Sequence, residues 1–357
     1  MTRRPGPGDD AGRRRATGEP TIQEVAREAG VSVGTVSNAL NNPQVVSEST
    51  RERVRAAIER TGYIRNGAAR ALAANRSDSI GLVVPSLGNS FFVDIAKGAL
   101  GAARERGLAV LVADADDDFA LQDRHLDAFA EARAGGILLA PMHDSIDGIS
   151  RVRQHGRRVV VVNYSYPTVS CCSVLVDDRA VGALGVEHLV DVGCDRVVLV
   201  SVDDFLQPVR ERRRGVHDAV ARLGLDLEEI EVASLDGDEG RRAAHAIADG
   251  LRATGEASRV GVLAVTDSLA RGLLDGFVTD GRAAVPDRVA VMGLDGNSGD
   301  WNGPISQTTV ELPGRHIGRE AMLLLLEEIE DDEHEHRQVV LPPRLLARES
   351  TVGRGEG

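Results

Sequence analysis

Apolar residues recur at helical spacing near the amino end of this chain and as short unbroken runs through the rest, so two kinds of structure are expected in series. Ile22, Val25, Ala26 and Ala29 fall on one helical face, and Gly30 ends the run at a position suited to positive φ. Ser32 is suited to cap a second helix, Val33 to Leu40, whose Val36, Ala39 and Leu40 turn back to the same small core. Counting from Ile22, Ala at position five, Gly at nine and Val at fifteen supply the small contact, the turn and the core residue that a helix-turn-helix needs. A third helix, roughly Glu48 to Arg60, turns Val54, Ala57 and Ile58 inward and starts after Ser47 or after Ser49, the latter forming a capping box with Glu52. The same pattern would fit amphipathic helices of any helical domain. The segment after the third helix narrows the choice: NGAARALAAN, residues 66–75, is Ala-rich yet too short to be a stable isolated helix, so it folds only against something else.

Beyond residue 79 the period changes. IGLVVPSL, LAVLVADA, GGILLAPM and RVVVVNY are continuous apolar stretches separated by helical patterns, which predicts a parallel sheet buried on both faces. The pattern restarts at RVVLVSV and runs through IEVASL, RVGVLAVT and RVAVMGLD, which predicts a second lobe of the same kind. Ligands of open α/β sheets sit beyond the carboxyl ends of the strands. Those ends supply Asn89, Phe91 and Phe92 after the first strand, Asn163 after VVVV, Thr266 and Asp267 after VLAV, and Asp295 after VMGL. One of the two phenylalanines reads equally as core, and Asp267 reads equally as a cap of the helix after it.

Length and charge sharpen the division. At 357 residues the chain exceeds what one core supports. Its net charge of −13 looks wrong for a nucleic-acid binder, but residues 1–76 hold 13 Arg against 8 acids, a balance of +5, leaving −18 on the remainder. Positive charge is thus concentrated on the helical end. Cys171, Cys172 and Cys194 form no CxxC spacing and no even framework, so neither a disulfide scaffold nor a zinc site is expected. The amino end has a charged start without an apolar run after it, and no later segment approaches a membrane span, so a cytoplasmic protein is expected. Residues 1–19 read as a disordered basic tail, with Arg13, Arg14 and Arg15 solvated rather than on phosphates.

Enzyme chemistry finds little to stand on. Lys97 is the only lysine and lies in no GxxxxGK loop; no GxGxxG opens a helix after the first strand, and no GxSxG elbow occurs. His125, His143, His155 and His188 are dispersed, while His334 and His336 in the acidic run DDEHEHR read as part of a solvated loop in preference to a weak metal site. No cofactor or metal is expected.

TIQEVAREAGVSVGTVSNALN, VSESTRERV, GY..N..AR.L, IGLVVPSLGNSFF, VDD.A.G...VEHL, GLD and LPPRLLARES together resemble the lactose-repressor (LacI/GalR) family of bacterial transcription regulators, from Thr21 to about Val352. The resemblance implies an all-α helix-turn-helix headpiece over 20–65, a hinge helix and linker over 66–78, and an effector-binding and dimerising core over 79–352 similar to periplasmic sugar-binding proteins. It implies that the first lobe runs from Ser79 to Val176 and takes back Ser306 to Asp331, the second taking Asp177 to Ile305 and the final strand. Arg212 in RERRRGVHDAV matches the position whose guanidinium holds the effector, Leu72 matches an intercalating leucine, and Leu235 stands where many relatives carry a stacking aromatic. Trp301 falls in a loop that in relatives borders the subunit interface. Arg65, Asn38 and Thr266 depart from the common Pro, Arg or His, and Asn. No heptad-bearing extension follows RLLARES, so a homodimer is expected and nothing supports assembly above it.

The reading is therefore a repressor binding a palindromic double-stranded operator under control of a small-molecule effector, a sugar or derivative, with a nucleoside or purine as the alternative. Val33, Gly34, Ser37 and Asn38 would lie nearest base edges, with Thr35, Arg51, Arg55 and Arg70 on phosphates and Leu72 wedged into the central step. The effector would meet Asn89, Phe91, Asn163, Arg212, Thr266, Asp267 and Asp295. A sugar-binding protein that does not bind DNA shares the core but leaves the headpiece unexplained.

Overall fold

The computed structural model describes residues 20–63, 79–142, 145–166, 171–203, 206–254, 258–296, 303 and 305–353. The expectations for the tail over 1–19, for the hinge over 66–78 with Arg70 and Leu72, and for Trp301 lie outside the described residues. The chain divides into two compact units, Met1–Arg70 and Ala71–Gly357.

The first unit holds α1 (Ile22–Ala29), α2 (Val33–Asn41) and α3 (Glu48–Thr61). Thr21 and Glu24 close a capping box at the start of α1, and Gly30 ends it in the left-handed region at φ 64°. Ser32 caps α2 by accepting from the Thr35 amide at 3.1 Å. Val25, Ala26, Ala29, Val36, Val54 and Ala57 bury together, with Ile22, Ala39, Leu40 and Ile58 partly buried around them. The capping box expected at Ser49 and Glu52 is not formed: α3 starts one residue after Ser47, so Ser49 already lies inside its first turn. Arg53 donates to the carbonyls of Ala29 at 2.7 Å and Gly30 at 2.9 Å, tying α3 to the open carboxyl end of α1.

The second unit carries two six-stranded sheets. The first has the order β11-β5-β4-β3-β1-β2, built from β1 (Ser79–Val84), β2 (Ala109–Asp114), β3 (Gly136–Leu139), β4 (Arg158–Val162), β5 (Ser173–Val176) and β11 (Gln338–Leu341), all parallel. The second has the order β12-β10-β9-β8-β6-β7, from β6 (Arg196–Ser201), β7 (Asp226–Glu231), β8 (Val260–Ala264), β9 (Val289–Gly293), β10 (Thr308–Glu311) and β12 (Arg344–Leu346), with only β12 antiparallel to its neighbour. The helices are α4 (Ser90–Glu105), α5 (Phe119–Glu131), α6 (Ile146–Gln154), α7 (Asp178–Asp191), α8 (Gln207–Leu223), α9 (Gly237–Thr254), α10 (Asp267–Leu274), α11 (Gly314–Glu330) and the short α12 (Glu349–Val352). Among the described residues no helix is long and apolar enough to cross a membrane.

Three details differ from the sequence reading. The segment from Ser306 is shared: β10 joins the second sheet and only α11 returns to the first lobe, against α4 and β4. The final strand, β12, joins the second sheet as expected, but β11 before it joins the first. The strand expected at IEVASL lies earlier, as β7, an edge strand whose alternating polar residues give no apolar run. The chain therefore crosses between lobes after β5, after β10 and after β11.

Candidate functional site

In the headpiece the outer face of α2 is open. Val33 is 41% exposed, Gly34 and Asn38 are exposed, and Thr35 and Ser37 are half-buried. Thr35 is partly committed to the cap, its hydroxyl 2.9 Å from that of Ser32, and Ser37 accepts from the Asn41 amide at 3.2 Å. On α3, Arg55 is exposed and Arg51 pairs with Glu48, whereas Arg53 and Arg60 are engaged with α1, Arg60 reaching Glu28 at 2.8 Å. The arginines of this helix are thus not one phosphate-binding set; Arg53 is an internal tie.

In the core, a cleft of about 300 Å³ opens between the lobes at the carboxyl ends of both sheets. Asn89, Phe91 and Asn163 line it from the first lobe, and Arg212, Thr266 and Asp295 from the second, with Phe92 and Leu235 adding apolar wall. Asn89 caps α4 by accepting from the Phe91 amide at 2.9 Å, and Phe91 is 6% exposed, so both shape the wall as much as they present to it. Thr266 caps α10, its hydroxyl accepting from Leu269. Asn163, directly after β4, sits at φ 56° with its amide oxygen buried and without a hydrogen-bond partner. A left-handed conformation and an unsatisfied buried acceptor each cost free energy, and both fall where a ligand donor would repay them.

Arg212 is 4% exposed; its Nε donates to Asp178 Oδ1 at 2.8 Å and its Nη1 to the Val265 carbonyl at 3.0 Å. The fold makes this possible by bringing α7 and α8 into backbone contact: a Cβ on Gly182 would stand 2.1 Å from the Arg212 carbonyl, and one on Gly215 2.0 Å from that of Arg179. Burial pushes the Asp178 carboxyl up to about 6, against the pull of Arg212. The guanidinium is thereby held in one orientation on the cleft wall.

Asp267 is the correction in this group. It is fully buried and does not line the cleft, because its carboxylate turns inward to accept from the Thr309 hydroxyl at 2.6 Å. Its amide donates to Asp295 Oδ1 at 2.9 Å, so Asp267 carries the loop that presents Asp295. Burial and the neighbouring Asp295 carboxylate hold the Asp267 carboxyl well above the usual range. Thr266 rather than Asp267 is the cap of α10.

The structure adds Ser86, Asp117, Met142 and Ser268 to the cleft wall. Asp117 lies in the middle of the acidic run Asp116–Asp118 after β2, a strand-end signal that the sequence reading passed over; burial and the neighbouring Asp114 and Asp116 raise its carboxyl. Gln207 pairs with the Ser165 backbone across the lobes, its Nε2 donating to the carbonyl at 3.0 Å and its Oε1 accepting from the amide at 2.7 Å. The solvated-loop expectation for His334 and His336 is also corrected, since β11 lies beside β5 and folds both rings onto Cys172.

Residues 21–66 match the family model of bacterial regulatory proteins, lacI family, and residues 186–351 match that of the periplasmic binding protein-like domain. The HTH-type transcriptional repressor PurR of Vibrio parahaemolyticus is 29% identical over 330 residues, covering 92% of this chain and 97% of that protein. A LacI-family transcriptional regulator from Silicibacter pomeroyi has the same fold, with a TM-score of 0.79 at 24% identity over 94% of this chain and 100% of its own. The transcriptional regulator CelR, solved as a complex with cellobiose, gives a TM-score of 0.66 at 26% identity, covering 93% of this chain and 100% of its own. Both halves are matched in the order in which the chain carries them, and a transcriptional repressor aligns along almost its whole length; the chain belongs to the LacI family of bacterial transcription regulators.

Proposed function

We propose that this regulator is a homodimeric repressor of a palindromic operator, and that a sugar or sugar derivative in the interlobe cleft controls its grip on DNA. The observation that carries the reading is the joining of an exposed α2 face to a core whose cleft is lined by Arg212, Asp295 and Asn163. Val33, Gly34, Ser37 and Asn38 would face base edges in the major groove, Arg51, Arg55 and Arg70 would hold phosphates, and Leu72 would wedge into the central step. A headpiece of net positive charge supports phosphate contact, and an acidic core keeps the rest of the chain off DNA.

The choice of effector rests on donor chemistry. A fixed guanidinium and the Asp295 carboxylate on the second lobe, with the Asn163 and Asn89 amides on the first, can fork several hydroxyls, and the related regulator CelR forms a complex with cellobiose. Leu235 in place of an aromatic leaves Phe91 and Phe92 as the apolar platform, which also suits the ring of a nucleoside or purine. An effector touching both lobes favours their closed arrangement, and this differential affinity is what it can transmit to the hinge.

The test is operator selection from randomised duplex DNA with the full chain and with a truncation beginning at Ser79. Selection of a palindrome by the full chain alone is expected. Equal retention of DNA by the truncated core would overturn the reading.

A further inference from the structure

At the amino end of β5, away from the strand ends that form the cleft, a buried thiol and two half-buried imidazoles converge. Cys172 Sγ lies 3.1 Å from His334 Nε2 and 3.9 Å from His336 Nδ1, and the three atoms all lie within 4.8 Å of one another. A tetrahedral ion with thiolate and imidazole ligands at ordinary bond lengths sets their separation at about 3.6 Å, between the two observed distances. The register of the sheet holds them there: the Ser173 amide donates to the Arg337 carbonyl at 3.1 Å, and the Arg337 amide approaches Cys172 Sγ at 3.4 Å.

A second observation points the same way. Glu328 on α11 is 1% exposed, and neither of its carboxylate oxygens has a hydrogen-bond partner. Its Oε1 stands 3.9 Å from His336 Nδ1 and 3.6 Å from Arg153 Nη1, ion-pair distances without hydrogen-bond geometry. A carboxylate buried without hydrogen bonds is costly unless something else compensates it.

We propose that Cys172, His334 and His336 bind a thiophilic divalent transition-metal ion, Zn²⁺ by the chemistry of the set, with the Glu328 carboxylate, 3.9 Å from His336, moving in to complete its shell. Mg²⁺ and Ca²⁺ take all-oxygen shells and do not fit one sulfur and two nitrogens. Formation of the sulfur–metal bond releases the Cys172 proton to solvent. With Nδ1 of His336 on the ion, its Nε2 carries the ring proton, so Arg153, now 3.4 Å from that nitrogen, turns its donors toward Glu328. Since every ligand belongs to the first lobe, the ion clamps the chain before β5 to the loop between α11 and β11 and leaves the interlobe cleft free.

The experiment is titration of the reduced, chelator-stripped full chain with Co²⁺, followed by competition with Zn²⁺. One equivalent per chain is expected, with a thiolate-to-cobalt charge-transfer band that Zn²⁺ abolishes. Cys172→Ser should lose the band and Cys171→Ser should keep it, while His334→Ala and His336→Ala should each weaken Co²⁺ binding by about tenfold or more. Far-UV circular dichroism checks that each variant folds, and if Cys172→Ser does not, the half-buried His336 carries the test. Absence of the band in the native chain, its persistence in Cys172→Ser, or unchanged Co²⁺ affinity in both histidine variants overturns the proposal.

Discussion

Asn38 is the residue on which base readout turns. Gly34 has no side chain, Thr35 is drawn into the cap with Ser32 and the Asn41 amide donates to Ser37, so among the exposed α2 positions Asn38 is the best placed to pair its amide with an adenine edge. Asn38→Ala should cost about 1–3 kcal/mol at one symmetric base pair and flatten the preference there. A scan of operator variants reads this directly, and an unchanged base preference in the mutant counts against the role. Asp178 is the corresponding residue in the core. Burial raises its carboxyl to about 6, so the folded state holds that proton more tightly than the unfolded chain. Its contribution to stability is complete below about pH 4 and is lost as pH rises through about 6. Asp178→Asn fixes the neutral form, so native minus mutant stability should fall by on the order of 2 kcal/mol between pH 4 and pH 7. Urea unfolding of the core at both pH values measures the difference; a constant offset would mean that Asp178 does not titrate as described.

Among elements, the α7–α8 contact decides whether the cleft has its arginine. Gly182 and Gly215 let the two backbones touch, and this closeness puts Asp178 within 2.8 Å of Arg212. A Cβ at Gly182 would meet the Arg212 carbonyl at 2.1 Å, a backbone atom that cannot swing aside. Gly182→Ala should therefore push α8 outward, at about 1–3 kcal/mol of stability, and misplace the guanidinium. The expected signature is a lower melting temperature of the core together with weaker effector binding, while operator binding by unliganded protein persists. Loss of stability without loss of effector affinity would show that Arg212 is not a ligand contact. The same logic governs α10, where Thr266 caps the helix and Asp267 props the loop bearing Asp295, so this helix terminus is a bracket for the cleft.

At the scale of the molecule, the lobes are joined by repeated crossings of the chain and by the Gln207–Ser165 pairing, and a ligand between them must trade against that arrangement. A ligand that binds only the folded core adds about 2.7 kcal/mol at a hundredfold excess over Kd. A thermal-shift screen of sugars, polyols, nucleosides and purines should thus find a stabiliser, and the same compound should alter operator affinity. Arg212→Ala and Asp295→Ala should each abolish the shift. A stabiliser whose effect survives both substitutions would place the effector elsewhere.

What the chain determines by itself are the features that depend on local periodicity. The helix-turn-helix was legible because Val25, Ala26, Ala29 and Val36 repeat at helical spacing around Gly30, and β1, β3 and β4 because they are buried on both faces and so read as unbroken apolar runs; β2 reads as such a run too, yet it is an edge strand with Leu111 and Val112 exposed. The strand-end rule also carried Asn89, Phe91, Asn163, Thr266 and Asp295 to the cleft, since the carboxyl end of a parallel strand can be read from where an apolar run stops. Tertiary structure decided the rest. β7 is an edge strand with polar residues, and β5, β10, β11 and β12 are three or four residues long with a polar residue in each, so no apolar run registers. Asp267 faces inward and Arg53 ties two helices because the partners that settle their orientation, Thr309 and Ala29, lie 42 and 24 residues away. Cys172 and His334 are 162 residues apart and meet only because β11 pairs with β5. Periodicity is a property of neighbours in sequence; such meetings are set by strand pairing and burial, which the whole fold determines.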